Sequence, residues 1–271
     1  MRSPPDMPHD IRSAVAPALS IVLPAYNEER RLPATLAKVF AWIDANGIDA
    51  EVLVVDDGSR DRTAEIVKRT FGDRPGFRVL SYGGNRGKGY AVKFGCLAAR
   101  GARVLMSDAD LSTPIEEHTR LAAAMDKQGL DIAMGSRALG EVVIAQRGVR
   151  SFAGKIFNKM MRAVLFLPFR DTQCGFKLFE RERCQHVFEA MRIERFSFDV
   201  EILFLALRTG LTAAEVPVRW YNDAESKVSF VRDSTRMALD VARIRWWSLS
   251  GSYALATSRP VLSPPPQSPP Q

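Results

Sequence analysis

Short apolar runs alternate with longer amphipathic segments over the first half of the chain. Apolar residues recur at helical spacing in these segments, for example at Leu32, Leu36, Val39 and Ile43. The apolar runs end in small or acidic residues and are typical of buried strands: SIVLPAY (20–26), EVLVVDD (51–57), FRVLSY (77–82), ARVLMSD (102–108) and LDIAMGS (130–136). The alternation predicts an α/β fold with a mostly parallel central sheet flanked by helices.

Polar and acidic residues follow each of the predicted strands. Ligands of open parallel sheets bind beyond the carboxyl ends of the strands, so we expect these residues to converge in one crevice. They are Pro24 to Glu28, Asp56 to Ser59, Asn85 to Gly89, Asp108 and Asp110, and Gly135 to Arg137. Acidic groups, a glycine-rich turn and a lysine therefore share one predicted site.

Two carboxylates, Asp108 and Asp110, stand directly behind the fourth strand in VLMSDADLSTP. Asp110 has a structural interpretation, because Asp caps helices and Pro114 is suited to the first turn of one. It also has a functional one, since Mg²⁺ takes one or two carboxylates and completes its shell with water and phosphate oxygens. Convergence with the other strand ends favours the metal.

Two further turns have both a structural and a functional interpretation. Asp57 and Gly58 in VVDDGS form an ordinary tight-turn sequence, but an acidic residue at this place is also suited to bind a base or ribose. The stretch GGNRGKGYAVK (83–93) opens a helix and resembles a phosphate cradle. It is not a P-loop, because Gly89 stands where Ser or Thr should follow Lys88.

Composition bounds the kind of protein and its partners. The 271 residues are 46% hydrophobic and 25% charged, which predicts one catalytic-size domain. A net charge of +7 and a pI near 9.5 favour an anionic partner: nucleic acid, an acidic membrane or a phosphorylated substrate. The acidic strand ends argue against nucleic acid. The three cysteines lack CxxC spacing, which indicates a reducing, cytoplasmic setting.

The ends of the chain differ in composition from its middle. Residues 1–17 and 258–271 are rich in Pro and Ser and are expected to be disordered tails around a domain at 18–250. The first residues lack the apolar core of a secretory signal, and no apolar run approaches the roughly 20 residues that span a bilayer. We therefore expect a cytoplasmic protein that contacts the membrane only peripherally.

The order PAYNE, VVDDGS, NRGKG and DADLS resembles family 2 inverting glycosyltransferases, which have the GT-A fold. The second half looks like the dolichyl-phosphate β-glucosyltransferases, which are related to dolichyl-phosphate mannose synthases. The segments that carry this likeness are GSRA (135–138), RDTQCGFKLF (170–179), RFSFDVEIL (195–203), VPVRW (216–220) and ESKV (225–228). The resemblance implies transfer of glucose from UDP-glucose to a polyprenyl phosphate.

The resemblance also implies roles for individual residues, with a donor half at 18–137 and an acceptor half at 138–250. Asp108 and Asp110 would hold Mg²⁺ or Mn²⁺, although Ser112 stands where the mannose synthases tend to have a Gln ligand. The donor would contact Pro24, Tyr26, Glu28, Asp56, Asp57, Lys88 and Asp108. The acceptor phosphate would contact Arg137, Arg147, Arg150, Lys177 and Lys227, and the catalytic group would comprise Asp199, Arg137 and Lys177.

Asp199 and Glu201 in SFDVE are open to two interpretations. In the first, Asp199 or Glu201 acts as a general base for an alcohol acceptor. In the second, one of them orients Lys177 or Arg137 through an ion pair. A phosphate acceptor is already ionised at neutral pH and needs no strong base.

Two amphipathic segments are candidates for membrane contact. The segment 151–167 carries basic residues on one side and apolar residues on the other, and the segment 232–247 ends in paired tryptophans beside arginines. A helix packed on the sheet has much the same pattern. The eukaryotic relatives carry an N-terminal anchoring helix that we do not find in this sequence.

Three other functions remain open at this point. They are a soluble family 2 enzyme with a hydroxyl acceptor on a sugar, protein or small molecule, a GDP-mannose-dependent polyprenyl-phosphate mannosyltransferase, and a basic nucleic-acid-binding protein. The sequence does not fix the oligomeric state.

Overall fold

The computed structural model describes residues 16–140, 164–221 and 230–253. A seven-stranded sheet lies at its centre. The strands are β1 (Leu19–Ala25), β2 (Ala50–Asp56), β3 (Phe77–Ser81), β4 (Arg103–Ser107), β5 (Ile132–Ser136), β6 (Phe176–Glu180) and β7 (Ala213–Pro217). The helices are α1 (Leu32–Asn46), α2 (Thr63–Phe71), α3 (Lys88–Ala98), α4 (His118–Gln128), α5 (Arg181–Ala190), α6 (Phe198–Arg208) and α7 (Phe230–Leu249).

The strand order is β3-β2-β1-β4-β6-β5-β7, and only β6 runs antiparallel to its neighbours. The five predicted strands match β1 to β5 to within two residues at either end. The prediction of a mostly parallel sheet with flanking helices is confirmed.

Strand β6 joins the two halves of the chain in one sheet. It lies between β4 and β5, and Lys177 in its middle stands opposite Met106 on one side and Met134 on the other. Because residues 138–250 supply β6 and β7, the two predicted halves at 18–137 and 138–250 share one sheet.

Apolar residues fill both faces of the sheet. Along β1, Ile21 and Leu23 belong to the core on one face while Val22 belongs to the core on the other, as the alternation of a strand requires. Helices α1 and α4 cover the first face, and α3, α5, α6 and part of α7 cover the second. A strand buried on both faces keeps its carboxyl end fixed, so the residues that follow it are held in place.

No helix within the described ranges combines the length and the apolar run that a bilayer span needs. Several predictions concern residues outside these ranges: those for Arg147, Arg150 and Lys227, for nearly all of the segment 151–167, and for the tails at 1–15 and 258–271.

Candidate active site

A cleft of about 390 Å³ lies at the carboxyl ends of β1, β2 and β4. It brings together most of the residues predicted for the donor and the metal: Pro24, Tyr26, Glu28, Asp57, Lys88, Asp108 and Asp110. Asp56 is buried next to the cleft, where one carboxylate oxygen accepts a hydrogen bond from Ser59 N at 3.1 Å. The expected convergence is therefore present for residues that follow β1 to β4, whereas Gly135 to Arg137 after β5 do not line the cleft.

Asp57 holds the glycine-rich loop in its place. Its buried carboxylate accepts hydrogen bonds from the Tyr82 hydroxyl at 2.9 Å and the Asn85 side-chain amide at 2.8 Å. It also accepts backbone N–H groups of Arg86 at 2.8 Å and of Gly87 at 2.9 and 3.1 Å. Burial and the adjacent Asp57 carboxylate raise the pKa of Tyr82, which keeps its hydroxyl a donor. Four donors use the acceptor capacity of a carboxylate.

The other side of this loop packs against residues 193–195. Tyr90 N donates to the Glu194 carbonyl at 3.1 Å, and Arg86 forms an ion pair with the Glu194 side chain. Gly87 has a φ of +116°, and a Cβ there would lie 2.5 Å from the Glu194 carbonyl oxygen. Glycine is required at this position, and the loop that delivers Lys88 to the cleft is fixed on both sides.

Asp108 lies in a space that only glycine leaves open. A Cβ on Gly175 would lie 2.2 to 2.4 Å from the Asp108 carboxylate, and Asp108 N donates to the Gly175 carbonyl at 3.1 Å. The Lys88 ammonium lies 2.5 Å from Asp108 Oδ1, although this buried oxygen accepts no hydrogen bond of normal geometry. Asp108 is thus positioned by the backbone and faces a cation.

Lys88 lies among carboxylates. Burial alone would lower its pKa, but Asp108, Asp199 and Asp110 outweigh that effect and raise it. The side chain is therefore a cation throughout the physiological range.

Asp110 stabilises the turn that follows it and also lines the cleft. Its Oδ1 accepts a hydrogen bond from Ser112 N at 2.9 Å. It does not cap the next helical element, a 3₁₀ turn at Ile115–Glu117 that Pro114 precedes and that has no side-chain cap. The helix-capping interpretation of Asp110 is wrong, whereas the start of a helical segment directly after Pro114 is confirmed.

The oxygen ligands in the cleft fit a divalent cation whose coordination shell is completed by a bound molecule. Among the described residues, no group of three or more His, Cys, Asp or Glu side chains is placed to hold a metal ion. Two carboxylates, Asp108 and Asp110, nevertheless line the same cleft, and Asp108 Oδ1 already faces one cation, the Lys88 ammonium. Hard cations of this kind take one or two carboxylates and bind phosphate oxygens for the rest.

Lys177 and Asp199 form a buried ion pair that is absent from the cleft lining. Lys177 has no exposed surface and also donates to the Cys174 carbonyl at 2.7 Å. Burial raises the pKa of Asp199 against the opposing effects of Lys177 and Lys88. The ion-pair interpretation fits this geometry, and the predicted catalytic and acceptor contacts of both residues stay predictions.

Glu201, two residues further along α6, has a structural place. Its buried carboxylate accepts backbone N–H groups of Arg192 and Ile193 and the Tyr253 hydroxyl, at 2.7 to 3.1 Å. Of the two acidic residues in SFDVE, only Asp199 lies near the cleft cations.

Arg137 is held by a second buried carboxylate. Its guanidinium makes two hydrogen bonds to Asp171, at 2.7 and 2.8 Å, and lies 5.6 Å from the ring centroid of Trp220. Burial would raise the pKa of Asp171, but Arg137 outweighs it and lowers the pKa. Glu215 supports the pair by accepting Asp171 N at 2.7 Å. Arg137 is thus oriented, although it does not line the cleft itself.

The outer wall of the cleft was not predicted from sequence. It consists of Arg195 and Phe196 before α6 and of Arg236, Met237 and Asp240 on α7. Arg31 also lines the cleft and forms an ion pair with Glu28. In the sequence, RFSFDVE stands out for its acidic residues, and the segment 232–247 stands out for its amphipathic pattern. Neither signal indicates a cleft wall, which requires the tertiary contact between α6 and α7.

Comparison with known proteins places these residues in context. Residues 20–188 match the model of glycosyl transferase family 2. A dolichyl-phosphate beta-glucosyltransferase of Dictyostelium discoideum is 37% identical over 250 residues, which cover 88% of this chain and 76% of the relative. One of Homo sapiens is 34% identical over 256 residues, covering 89% and 79%.

Solved structures share the fold at low sequence identity. Mannosyl-3-phosphoglycerate synthase from Rubrobacter xylanophilus has a TM-score of 0.64 at 21% identity and covers 91% of this chain and 79% of its own. Glucosyl-3-phosphoglycerate synthase from Mycobacterium tuberculosis, crystallised with Mn²⁺ and UDP-glucose, has a TM-score of 0.60 at 18% identity and covers 84% and 79%.

Proposed function

The chain belongs to glycosyl transferase family 2 and, within it, to the dolichyl-phosphate β-glucosyltransferases, and from this premise we propose its reaction. The protein transfers glucose from UDP-glucose to a polyprenyl phosphate, with inversion at the anomeric carbon. The observation that carries the proposal is the identity to curated glucosyltransferases over nearly nine tenths of the chain.

The donor lies along the strand ends. Its base is placed beside Pro24, Tyr26 and Glu28, at the end of the cleft that Asp57 and the glycine-rich loop form. Its diphosphate lies beside Lys88, whose raised pKa keeps it charged. The loop is fixed by Asp57 before any ligand arrives, so little ordering cost remains at binding.

Asp108 and Asp110 would hold a divalent cation, Mg²⁺ or Mn²⁺, which would supply positive charge against the leaving diphosphate. The Mn²⁺ and UDP-glucose in the crystallised structural neighbour support this assignment. Gly175 keeps the Asp108 carboxylate at the cleft, because any side chain there would occupy its place. Lys88 adds a fixed positive charge beside the same carboxylate.

The acceptor needs positioning more than activation. A phosphate monoester is ionised at neutral pH, so its oxygen attacks the anomeric carbon without a strong base. We assign its phosphate to Arg137, held by Asp171, together with Arg147, Arg150 and Lys227. Positioning and charge neutralisation then supply most of the rate.

Lys177 and Asp199 act beneath the cleft floor. Because Lys177 is fully buried and paired, we assign to it the orientation of Asp199 instead of contact with the acceptor. Asp199 in turn contributes negative charge beside Lys88.

A lipid acceptor places the reaction at a membrane surface. We propose that the protein binds peripherally at the cytoplasmic face, where a nucleotide-sugar and a polyprenyl phosphate meet.

Incubation with Mg²⁺ or Mn²⁺, a polyprenyl phosphate and a panel of radiolabelled UDP- and GDP-sugars tests the proposal. We expect label in the organic phase with UDP-glucose. Label from GDP-mannose instead would identify a mannosyltransferase. No lipid-linked product with any donor, alongside transfer to a water-soluble hydroxyl acceptor, would overturn the proposal.

A further inference from the structure

A stripe of large apolar side chains runs along the outer side of α7. Leu239, Trp246 and Leu249 are 56%, 64% and 71% exposed. At about 100° per residue these three positions fall within roughly 80° of one another around the helix axis. Large apolar side chains grouped on one surface mark an interaction site.

Phe166 extends this stripe from a neighbouring segment. It is 76% exposed, while Leu165 and Leu167 on either side are buried. The Arg245 guanidinium of α7 lies 5.3 Å from its ring centroid, so the two segments are adjacent. Its φ of +54° is a conformation that costs a non-glycine residue free energy. The fold therefore holds the Phe166 ring in solvent, although both the exposure of the ring to water and the backbone conformation of the residue cost free energy.

We name Phe166, Leu239, Trp246 and Leu249 the outer apolar patch. Of the paired tryptophans only Trp246 belongs to it. Trp247 packs inward, with its ring centroid 6.0 Å from that of Tyr253.

The charged residues of α7 that border the outer apolar patch are arginines. Arg243 and Arg245 lie on either side of the stripe. Asp240 is the only acidic residue of 236–253, and it is 9% exposed and paired with Arg243 at 3.2 Å. Apolar side chains bordered by arginines suit the boundary between acyl chains and anionic headgroups, because the long arginine stems let the cations reach the headgroups.

The opposite side of the same helix lines the cleft through Met237 and Asp240, and Arg236 lines it from the flank between that side and the stripe. The outer apolar patch and the cleft are therefore separated by one helix diameter, about 10 Å. Interfacial helices sink about 5 to 10 Å into the headgroup region. Binding through the patch would bring the cleft to the level at which a lipid phosphate lies.

We propose that the outer apolar patch is the docking surface for an anionic lipid bilayer, on which α7 lies flat with Trp246 and Phe166 among the headgroups. The choice of a bilayer rests on the arginine border and on the proposed function, whose acceptor is a lipid.

Co-sedimentation with vesicles tests the docking surface without donor or acceptor. The vesicles are phosphatidylcholine alone and phosphatidylcholine with phosphatidylglycerol. The patch variants are Trp246→Ser and Phe166→Asn, since Asn tolerates the left-handed conformation. Arg243→Gln with Arg245→Gln tests the border. The matched control is Leu97→Ser on α3, an apolar residue 41% exposed outside the patch.

The wild type should bind the anionic vesicles far more tightly than the neutral ones. Each patch variant should weaken this binding about tenfold, and the double arginine variant roughly 30-fold, as expected for two cations near an anionic surface. Leu97→Ser should bind as the wild type does.

Absence of vesicle binding by the wild type would overturn the inference, as would equal losses in Leu97→Ser and the patch variants. A wild-type dimer in light scattering that Trp246→Ser dissociates would also overturn it, because a second copy would then cover the patch. Transfer to a water-soluble short-chain prenyl phosphate is measured separately. If neither the wild type nor any variant transferred glucose to this acceptor, the result would count against the proposed function and would leave the docking surface unaffected.

Discussion

The carboxylates behind β2 and β4 look alike in sequence and differ in what satisfies them. All three line the cleft, but Asp57 accepts hydrogen bonds from four protein groups, whereas Asp108 and Asp110 receive few such bonds. The first carboxylate maintains the shape of the cleft, and the second pair has capacity for a cation and its ligand. Position at a strand end indicates where a site lies, and the hydrogen bonds indicate what each residue does there.

The largest effect is expected where a carboxylate serves the ligand. Asp110→Asn should lower kcat for glucosyl-lipid formation about 1000-fold, because under the proposed function it removes a charge that would hold the metal against the leaving diphosphate. Its free energy of unfolding should stay close to that of the wild type, since Asn can still accept the bond from Ser112. Initial rates and urea denaturation measure the two quantities. Substantial activity in this variant would contradict the ligand role.

Asp57→Ala should show the reverse pattern, with a large effect on stability. It leaves four donors without their acceptor and should cost about 3 kcal/mol in the free energy of unfolding. Asp56→Ala is the matched control, because within the described residues the Asp56 carboxylate accepts one hydrogen bond, from Ser59 N. Its loss should lower the free energy of unfolding by about 1 kcal/mol. Equal losses in the two variants, measured by denaturant unfolding, would break the comparison.

Asp171 extends the comparison to a carboxylate satisfied by a cation. Arg137 lowers its pKa below the ordinary 3.8, so its ionised form stabilises the fold above that pH. This stabilisation is lost as the pH falls through the lowered pKa. Asp171→Asn should therefore be about 2 kcal/mol less stable than the wild type at pH 7, and the gap should close below pH 3.8. A gap that is independent of pH would exclude the ion pair as its source.

The smallest effect is expected from a change that displaces the Asp108 carboxylate without removing it. Gly175→Ala places a Cβ 2.2 Å from Asp108 Oδ2 and should shift that group, lowering kcat/KM about tenfold. Gly83→Ala is the control, because nothing lies within 4 Å of a Cβ there and its φ is not positive. Similar activities in the two variants would show that the position of Asp108 is not critical.

The parallel part of the fold was predictable from the chain because its signal is local. Strands β1 to β5 are apolar runs bounded by turn residues, and their carboxyl ends necessarily share one edge. Strand β6 was not predicted, since it contains Lys177 and inserts antiparallel between β4 and β5, which are adjacent to it only after folding. Long-range pairing of this kind leaves no periodic signal in the sequence.

The candidate site was predictable to the same extent. Asp57, Lys88, Asp108 and Asp110 follow strands and were found for that reason. Arg236 lines the cleft only because α7 packs beside α6, and no local pattern marks it. The ion pair of Lys177 was predicted only as one of several pairings, with Asp199 or Glu201 beside Lys177 or Arg137, because the buried neighbours that the fold provides decide among them.

Donor binding with and without Mn²⁺ tests the division between the two strand ends most directly. Isothermal titration with UDP-glucose should show that Mn²⁺ tightens binding to the wild type. Asp110→Asn should lose this metal dependence, whereas Asp57→Asn should keep it even if its overall affinity is weaker. If Asp110→Asn responded to Mn²⁺ as the wild type does, or Asp57→Asn alone lost the response, the account would be contradicted.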